Sequence, residues 1–80
     1  MTRGDLPNAV VKALDELGGT GTVVDVARLI WRDNEATLKA SGDLYYTWQY
    51  ETRWAAQRLR DEGKLTYGRE NGRGVWQLKK

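Results

Sequence analysis

The stretch from Tyr45 to Gly63 constrains the fold most, because one continuous helical pattern leads directly into a hairpin signal. Side chains three and four residues apart lie on the same side of a helix. The stripe that we expect to be buried consists of Trp48, Thr52, Ala55 and Leu59. Gly63 stands where a helix commonly ends in a left-handed glycine.

The opposite side of this helix carries aromatic, amide and guanidinium groups: Tyr46, Tyr50, Arg53, Gln57 and Arg60. Glu51, Asp61 and Glu62 fall toward one edge of the buried stripe, so the outward side is expected to lack carboxylates. Guanidinium, amide and hydroxyl groups are the ones that contact bases and phosphates of DNA. The helix therefore has the character of a recognition helix.

A β-hairpin is predicted immediately after this helix. Asn71-Gly72 is the strongest short hairpin signal, because a type I′ turn needs positive φ at both central residues. With these residues in the turn, Leu65 faces Leu78 and Tyr67 faces Trp76. A slip of one residue would destroy this apolar pairing.

Two further helices precede this unit, over residues 5–18 and 22–33. Asp5 is expected to cap the first helix, and Gly18-Gly19 to end it. The second helix begins with a capping box of Thr22 and Asp25. Its expected buried face consists of Val23, Val26, Ala27, Ile30 and Trp31.

The links between these helices are less regular. Thr20-Gly21 is predicted to be a short extended link that forms a minor third strand of the sheet. Residues 33–43 are read as a short extra turn of helix and then a loop, which is longer than the three or four residues of a tight helix-turn-helix.

These elements predict an α+β fold, a small winged helix-turn-helix with three helices and a C-terminal β-hairpin wing. Residues 1–80 form one domain, with recognition helix 3 over 45–62 and wing strands over 64–68 and 74–79. The helix-turn-helix would be an elongated variant. Because so short a chain buries a limited fraction of its surface, we expect large rings in its core, including Trp48, Trp54 and Trp76.

Composition argues against several functional classes. The chain has no Cys and no His, which removes thiolate chemistry, the commonest metal ligand and the commonest general base. It also lacks a phosphate-binding loop and a carboxylate cluster with ligand spacing. We therefore expect no enzyme activity, no metal, no cofactor, no small-molecule ligand and no membrane partner. Without a long apolar run or a signal peptide, a soluble, cytoplasmic and nucleoid-associated protein is expected.

Charge is distributed unevenly along the chain. Residues 1–45 carry five basic and seven acidic side chains, whereas residues 46–80 carry eight basic and four acidic ones. This asymmetry is compatible with an ordinary solvated surface. It also fits a polyanion contact through the C-terminal half, with Lys79-Lys80 as a basic tail.

Three stretches give the chain a family resemblance: Ala13–Gly19, Arg53-Trp54-Ala55 with Leu59, Gly63 and Leu65, and Arg73–Leu78. In these the chain resembles the N-terminal winged-helix domain of Mrr-type restriction proteins. The resemblance implies DNA binding, often of modified DNA, in a small regulator or a restriction- or phage-linked module. No nuclease domain follows, so cleavage is not implied. Residues 48–52 depart from the family's more basic run.

The predicted partner is double-stranded DNA. The expected contact residues are Tyr46, Gln49, Tyr50, Arg53, Gln57, Arg60, Lys64, Arg69 and Arg73. Arg53, Gln57 and Arg60 would read bases, and the hairpin arginines would bind phosphate or a minor groove. Arg28 and Arg32 are possible backbone clamps. A cross-strand pair of Glu70 with Arg73 is the alternative to an open hairpin tip.

A second function stays open at this point. The outward face of helix 3, with Tyr46 and Tyr50, would also suit a homodimer contact or an adaptor contact with a larger protein. Tyr, Trp and Arg are enriched at protein interfaces as well, so residue types do not separate the two functions.

Overall fold

The computed structural model describes residues 1–79, which form a small α+β fold with three helices and a three-stranded antiparallel sheet. The elements are a 3₁₀ turn (Arg3–Asp5), α1 (Leu6–Glu16), β1 (Thr20–Thr22), α2 (Val23–Lys39), α3 (Leu44–Asp61), β2 (Leu65–Glu70) and β3 (Arg73–Leu78). Among these residues, no helix combines the length and the apolar character that a membrane crossing requires.

Helix α1 ends as expected but begins differently. Asp5 does not cap it, because the carboxylate accepts hydrogen bonds from the backbone N–H and the hydroxyl of Thr2, at 2.9 and 3.2 Å. These bonds cap the preceding 3₁₀ turn and lower the pKa of Asp5. At the other end, Gly18 has φ 86° and the Gly19 N–H donates to the Leu14 carbonyl at 2.7 Å, which closes a Schellman motif.

Helix α2 starts with the predicted capping box. The Asp25 N–H donates to Thr22 Oγ1 at 3.1 Å, and the Thr22 N–H donates to the Asp25 carboxylate at 3.4 Å. These two bonds satisfy backbone donors that the first turn leaves without helical partners.

The predicted end of this helix at residue 33 is wrong. Asn34 leaves helical geometry, with φ −131°, and its side-chain amide donates to the Ile30 carbonyl at 3.0 Å. A side chain that bonds to the backbone within the helix competes with the regular pattern, and α2 kinks at Asn34 and continues to Lys39. The second half buries Leu38 completely and corresponds to the extra helical turn that we expected within residues 33–43. The loop that follows it comprises only Ala40–Asp43, so the connection is shorter than expected.

Helix α3 buries the predicted stripe, together with Leu44 and Ala56. It ends in a second Schellman motif, where Gly63 has φ 76° and the Lys64 N–H donates to the Leu59 carbonyl at 2.9 Å. Within α3, Trp54 departs from the predicted core, because 55% of it is exposed. Its position on the helix lies outside the angular range of the buried stripe, so the side chain is exposed although its ring is large.

The sheet has the order β1-β3-β2, and its hairpin has the predicted register. Leu65 pairs with Leu78 and Tyr67 with Trp76, while Asn71 and Gly72 have φ values of 51° and 79° in the turn. The strands run closer to the turn than predicted. Residues 20–22 form the minor strand and pair with residues 75–77 of β3.

One core joins the three helices to the sheet. Its fully buried members include Leu6, Val10, Leu14, Val26, Leu38 and Ala56, and the buried rings of Trp48 and Trp76 belong to the same core. Because α3 packs directly against α1 and continues into β2, its outward side is held in a fixed position relative to the hairpin.

Candidate nucleic-acid interface

The predicted contact residues are all at the surface, with Gln57 half-buried and the other eight exposed. They divide into three groups according to what surrounds them. One group lies on the N-terminal half of α3, the second on its C-terminal half, and the third on or next to the hairpin.

The N-terminal half of α3 presents free polar groups. Tyr46 is 83% exposed and Tyr50 61%, and Gln49 and Arg53 are exposed beside them. Within residues 1–79, the side chains of these four residues form no hydrogen bond or ion pair. Their donors and acceptors are therefore available to a ligand.

The C-terminal half of α3 is different, because its polar groups already have partners. The Gln57 amide donates to Asp61 Oδ1 at 3.1 Å and accepts from the Tyr67 hydroxyl at 3.4 Å. The Arg60 guanidinium lies over the Tyr67 ring, 4.8 Å from its centroid. The expectation that this side lacks carboxylates is wrong here, because Asp61 reaches round to Gln57.

The hairpin carries two arginines near its tip. Arg69 lies two residues after Tyr67 on β2 and therefore shares its sheet face. Arg73 pairs with Glu70 and lies on the opposite face. Glu70 is the strand partner of Arg73, but the two side chains form no ion pair among the described residues. Both guanidinium groups are exposed.

Lysines contribute less to this region than expected. Lys64 Nζ lies 3.5 Å from Glu62 Oε1, so part of its charge is already compensated. Lys79 is exposed after β3. The other residue of the predicted basic tail, Lys80, lies outside the described residues.

Arg28 connects helix α2 to this region. It lines a groove between α2 and α3 together with Arg53, and it lines a second depression together with Arg73. Arg28, Arg53 and Arg73 thus come from three different elements and border one continuous surface. We call these three residues the open arginine set, because none of them forms an ion pair within residues 1–79.

Three other arginines are bound to carboxylates. Arg3 contacts Glu51 at 2.8 Å, Arg32 contacts Glu16 at 2.7 Å and Asp33 at 2.9 Å, and Arg58 contacts Glu62 at 3.3 Å. We call Arg3, Arg32 and Arg58 the paired arginine set. The predicted role of Arg32 as a backbone clamp is not supported, because its guanidinium already joins α2 to α1.

The hydrogen bonds of Arg32 shift the pKa values of Arg32 and Asp33. Its hydrogen bond to Asp33 and then its hydrogen bond to Glu16 raise the pKa of Arg32 further above its usual range. The same Arg32 hydrogen bond lowers the pKa of Asp33. These groups are exposed, so the contacts orient the side chains more than they stabilise the fold.

The groove between α2 and α3 was not predicted as a site. It has a volume of about 730 Å³, and its walls include Val23, Val24, Trp31, Tyr45 and Trp48. The sequence contained a signal for it: the apolar residues of α2 cover a wider arc than one buried stripe needs. Val23, Ala27 and Trp31, which were expected in the core, are only half-buried along this groove.

Comparisons of the chain with protein-family models, with curated proteins and with solved structures find no match. Its possible chemistry is therefore argued from the side chains alone. Within residues 1–79, no group of three His, Cys, Asp or Glu side chains is arranged to hold a metal ion. What the surface does offer is unpaired guanidinium, amide and phenol groups, which bind anions and base edges.

Proposed function

We propose that this chain is a winged-helix module that binds double-stranded DNA. Helix α3 enters the major groove, and the β2–β3 hairpin acts as a wing against the backbone or the minor groove. A small regulator or a restriction- or phage-linked module, as in the Mrr-type domains that the sequence resembles, fits this activity. The α+β fold, with a hairpin directly after its third helix, supports this assignment.

The observation that carries the proposal is the contrast between the two arginine sets. Arginines around α1 and along the far edge of α3 are bound to carboxylates, whereas those bordering α3, the start of α2 and the hairpin are not. An unpaired guanidinium is available for phosphate or for guanine O6 and N7. Three such groups from three elements around one surface suit a polyanion.

Different roles follow for the individual residues. Gln49 and Arg53, one helical turn apart on α3, are the residues that we assign to base edges. Arg28 and Arg73 are assigned to phosphates on either side, with Arg69 and Lys64 as further phosphate contacts. Gln57 and Arg60 would have to leave Tyr67 to reach a base, so we assign them a positioning role.

A duplex titration at several salt concentrations tests the activity. A protein that makes about four to six phosphate contacts loses affinity with a log–log salt slope of about −4 to −5. A slope near zero, or no binding to random duplex at low salt, would exclude the proposal.

Two triple variants provide a matched comparison. Replacing Arg28, Arg53 and Arg73 by Gln should lower duplex affinity by at least about 100-fold and reduce the salt slope by about 2–3. Replacing Arg3, Arg32 and Arg58 by Gln removes the same charge and should change affinity by less than about threefold. Equal losses in both variants would show that only net charge matters and would overturn the assigned surface. Circular dichroism verifies that both variants are folded.

A protein–protein contact is the second candidate function. It is favoured by Tyr46, Tyr50 and Trp54, which are large rings that are more than half exposed along one side of α3. Tyr50 and Trp54 also lie edge to face, 6.2 Å between centroids. Sedimentation equilibrium distinguishes a homodimer from a monomer, and an apolar contact would respond little to the salt that weakens DNA binding.

A further inference from the structure

Helix α2 carries more apolar surface than the core covers. Val26 and Ile30 are buried, but Val23, Ala27 and Trp31 are half-buried and Val24 is 58% exposed. These four incompletely covered residues line the groove of about 730 Å³ between α2 and α3. Small-molecule sites commonly have volumes of about 300–1,000 Å³ and mostly apolar walls.

The inner wall of this groove is made of flat rings. Trp31 stacks on Trp48 with centroids 5.9 Å apart and planes 14° apart, and the centroid of the Tyr45 ring lies 6.4 Å from that of Trp31 with the planes 28° apart. Near-parallel rings with one partly open member provide a surface on which another planar ring can stack.

The charged side chains that line the groove are both basic. Arg28 and Arg53 line it, Gln49 adds an amide, and no Asp or Glu is among the described residues that line it. Lys39 Nζ lies 5.9 Å from the centroid of the Trp31 ring, but it is also 3.3 Å from Glu35 Oε2, so the positive charge of the site comes from Arg28 and Arg53. A neutral or cationic ligand would leave both guanidinium groups without a partner.

We propose that the α2–α3 groove is a binding site for a small planar aromatic anion. The ring of the ligand stacks against Trp31, and its carboxylate or phosphate is held by Arg28 and Arg53. This chemistry is shared by free aromatic acids and by mononucleotides, whose base and phosphate supply the same two features.

The site also has a consequence for DNA binding, which rests on the proposed function. Arg53 belongs both to this groove and to the proposed DNA surface, so a ligand that holds its guanidinium competes with DNA. The groove would then act as an effector site. Titrations without DNA test the site, and titrations with DNA test the competition.

Two-dimensional ¹H–¹⁵N NMR of the full chain provides the direct readout. The indole N–H signals of Trp31 and Trp48 should shift on addition of 2-naphthoate, with saturation and a dissociation constant below about 1 mM. Those of Trp54 and Trp76, which do not line the groove, serve as internal controls. Neutral 2-naphthylmethanol and non-aromatic cyclohexanecarboxylate should each bind at least about tenfold more weakly.

Matched variants locate the site. Arg28→Gln should weaken 2-naphthoate binding about tenfold, the loss expected for one charge-assisted hydrogen bond, whereas Arg32→Gln, one turn along α2 and outside the groove, should not. Ala27→Leu fills the groove and should abolish binding, with an unchanged Trp76 signal as the measure of folding. Equal shifts of all four indole signals, or identical affinities of the Arg28 and Arg32 variants, would overturn the site.

A further titration with deoxyadenosine 5′-monophosphate separates the two sources of ligand. Tighter binding than 2-naphthoate identifies a mononucleotide, and weaker binding identifies a free aromatic acid. Saturable binding of neither compound overturns the proposal. If the protein binds 2-naphthoate but no duplex, the proposed function fails and the site stands. Binding of 2-naphthoate that leaves duplex affinity unchanged overturns the competition.

Discussion

Within residues 1–79, arginine side chains are paired with carboxylates on the surface around α1 and unpaired on the surface between α2, α3 and the hairpin. Around α1, Arg3 and Arg32 bind carboxylates on neighbouring elements and tie those elements together. Between α2, α3 and the hairpin, Arg28, Arg53 and Arg73 have no carboxylate partner among the described residues. Whether an arginine is available to a ligand therefore depends on the carboxylates near it, and solvent exposure alone does not show this availability.

The comparison separates stability from binding. Exposed ion pairs contribute little to the free energy of unfolding, so even the paired side is stabilised mainly by its apolar core. Changes in the core should lower stability, and changes in the open arginine set should lower binding without unfolding the protein.

The largest effect is expected for Leu38→Ala. Leu38 is fully buried beyond the kink of α2, and its loss leaves a cavity that should cost about 2–5 kcal/mol in the free energy of unfolding. Urea denaturation followed by circular dichroism measures this. Val24→Ala, at an exposed position of the same helix, should cost less than about 0.5 kcal/mol. Equal costs would mean that the second half of α2 does not pack as described.

The next effect concerns DNA affinity. Arg53→Ala should weaken duplex binding by about 1–3 kcal/mol and relax its sequence preference, because a base-reading guanidinium is lost. Arg58→Ala, five residues along the same helix, removes an arginine of the paired set and should change binding by less than about 0.5 kcal/mol. Fluorescence anisotropy with a labelled duplex gives both values, and a larger loss for Arg58 would contradict the comparison.

A third prediction tests the capping box at the start of helix α2, the helix that carries Arg28. Thr22→Ala removes the acceptor of the Asp25 N–H and should lower the free energy of unfolding by about 1 kcal/mol. Thr22→Ser retains that hydroxyl and should recover most of the loss. Thermal unfolding of both variants checks this, with duplex affinity at low temperature expected to be unchanged.

The smallest effect should appear in the pH dependence of stability. Arg32 lowers the pKa of Asp33, so the contribution of this pair is present above the unfolded pKa of Asp, about 4, and is lost as pH falls through the lower folded value. Arg32→Gln should therefore be slightly less stable than the parent chain at pH 7 and equally stable near pH 2. Urea denaturation at both pH values tests this, and a gap that widens in acid would contradict it.

The hairpin and the helix ends were predictable because their determinants are local. Asn71-Gly72 set the turn, and the alternation of Leu65 and Tyr67 against Trp76 and Leu78 left one register that pairs apolar residues. Gly18 and Gly63 indicated two helix ends, because a helix commonly ends at a residue with positive φ and glycine adopts that conformation without strain. Both glycines have positive φ in the structure.

The second helix was predicted only in part. Asn34 interrupts the local pattern, so the helix was expected to end just before it. Its continuation is stabilised by the burial of Leu38 against the other helices, which is a contact between residues distant in the chain. Local propensity contains no information about that contact.

The candidate site shows the same division between local and tertiary determinants. Helical periodicity placed Tyr46, Tyr50 and Arg53 on the outside of α3, and all three are exposed. The involvement of Gln57 and Arg60 with Tyr67 depends on how β2 folds back beside α3, which helical periodicity alone does not predict.

The sequence by itself determined the order of the elements, the hairpin register and the outward side of α3, because each depends on spacing or on backbone conformation within a few residues. Only the tertiary structure decided which arginines are paired, how far α2 extends and that a groove lies beside Trp31. Those properties arise where separate elements meet, and there the partners of a side chain depend on packing between distant parts of the chain.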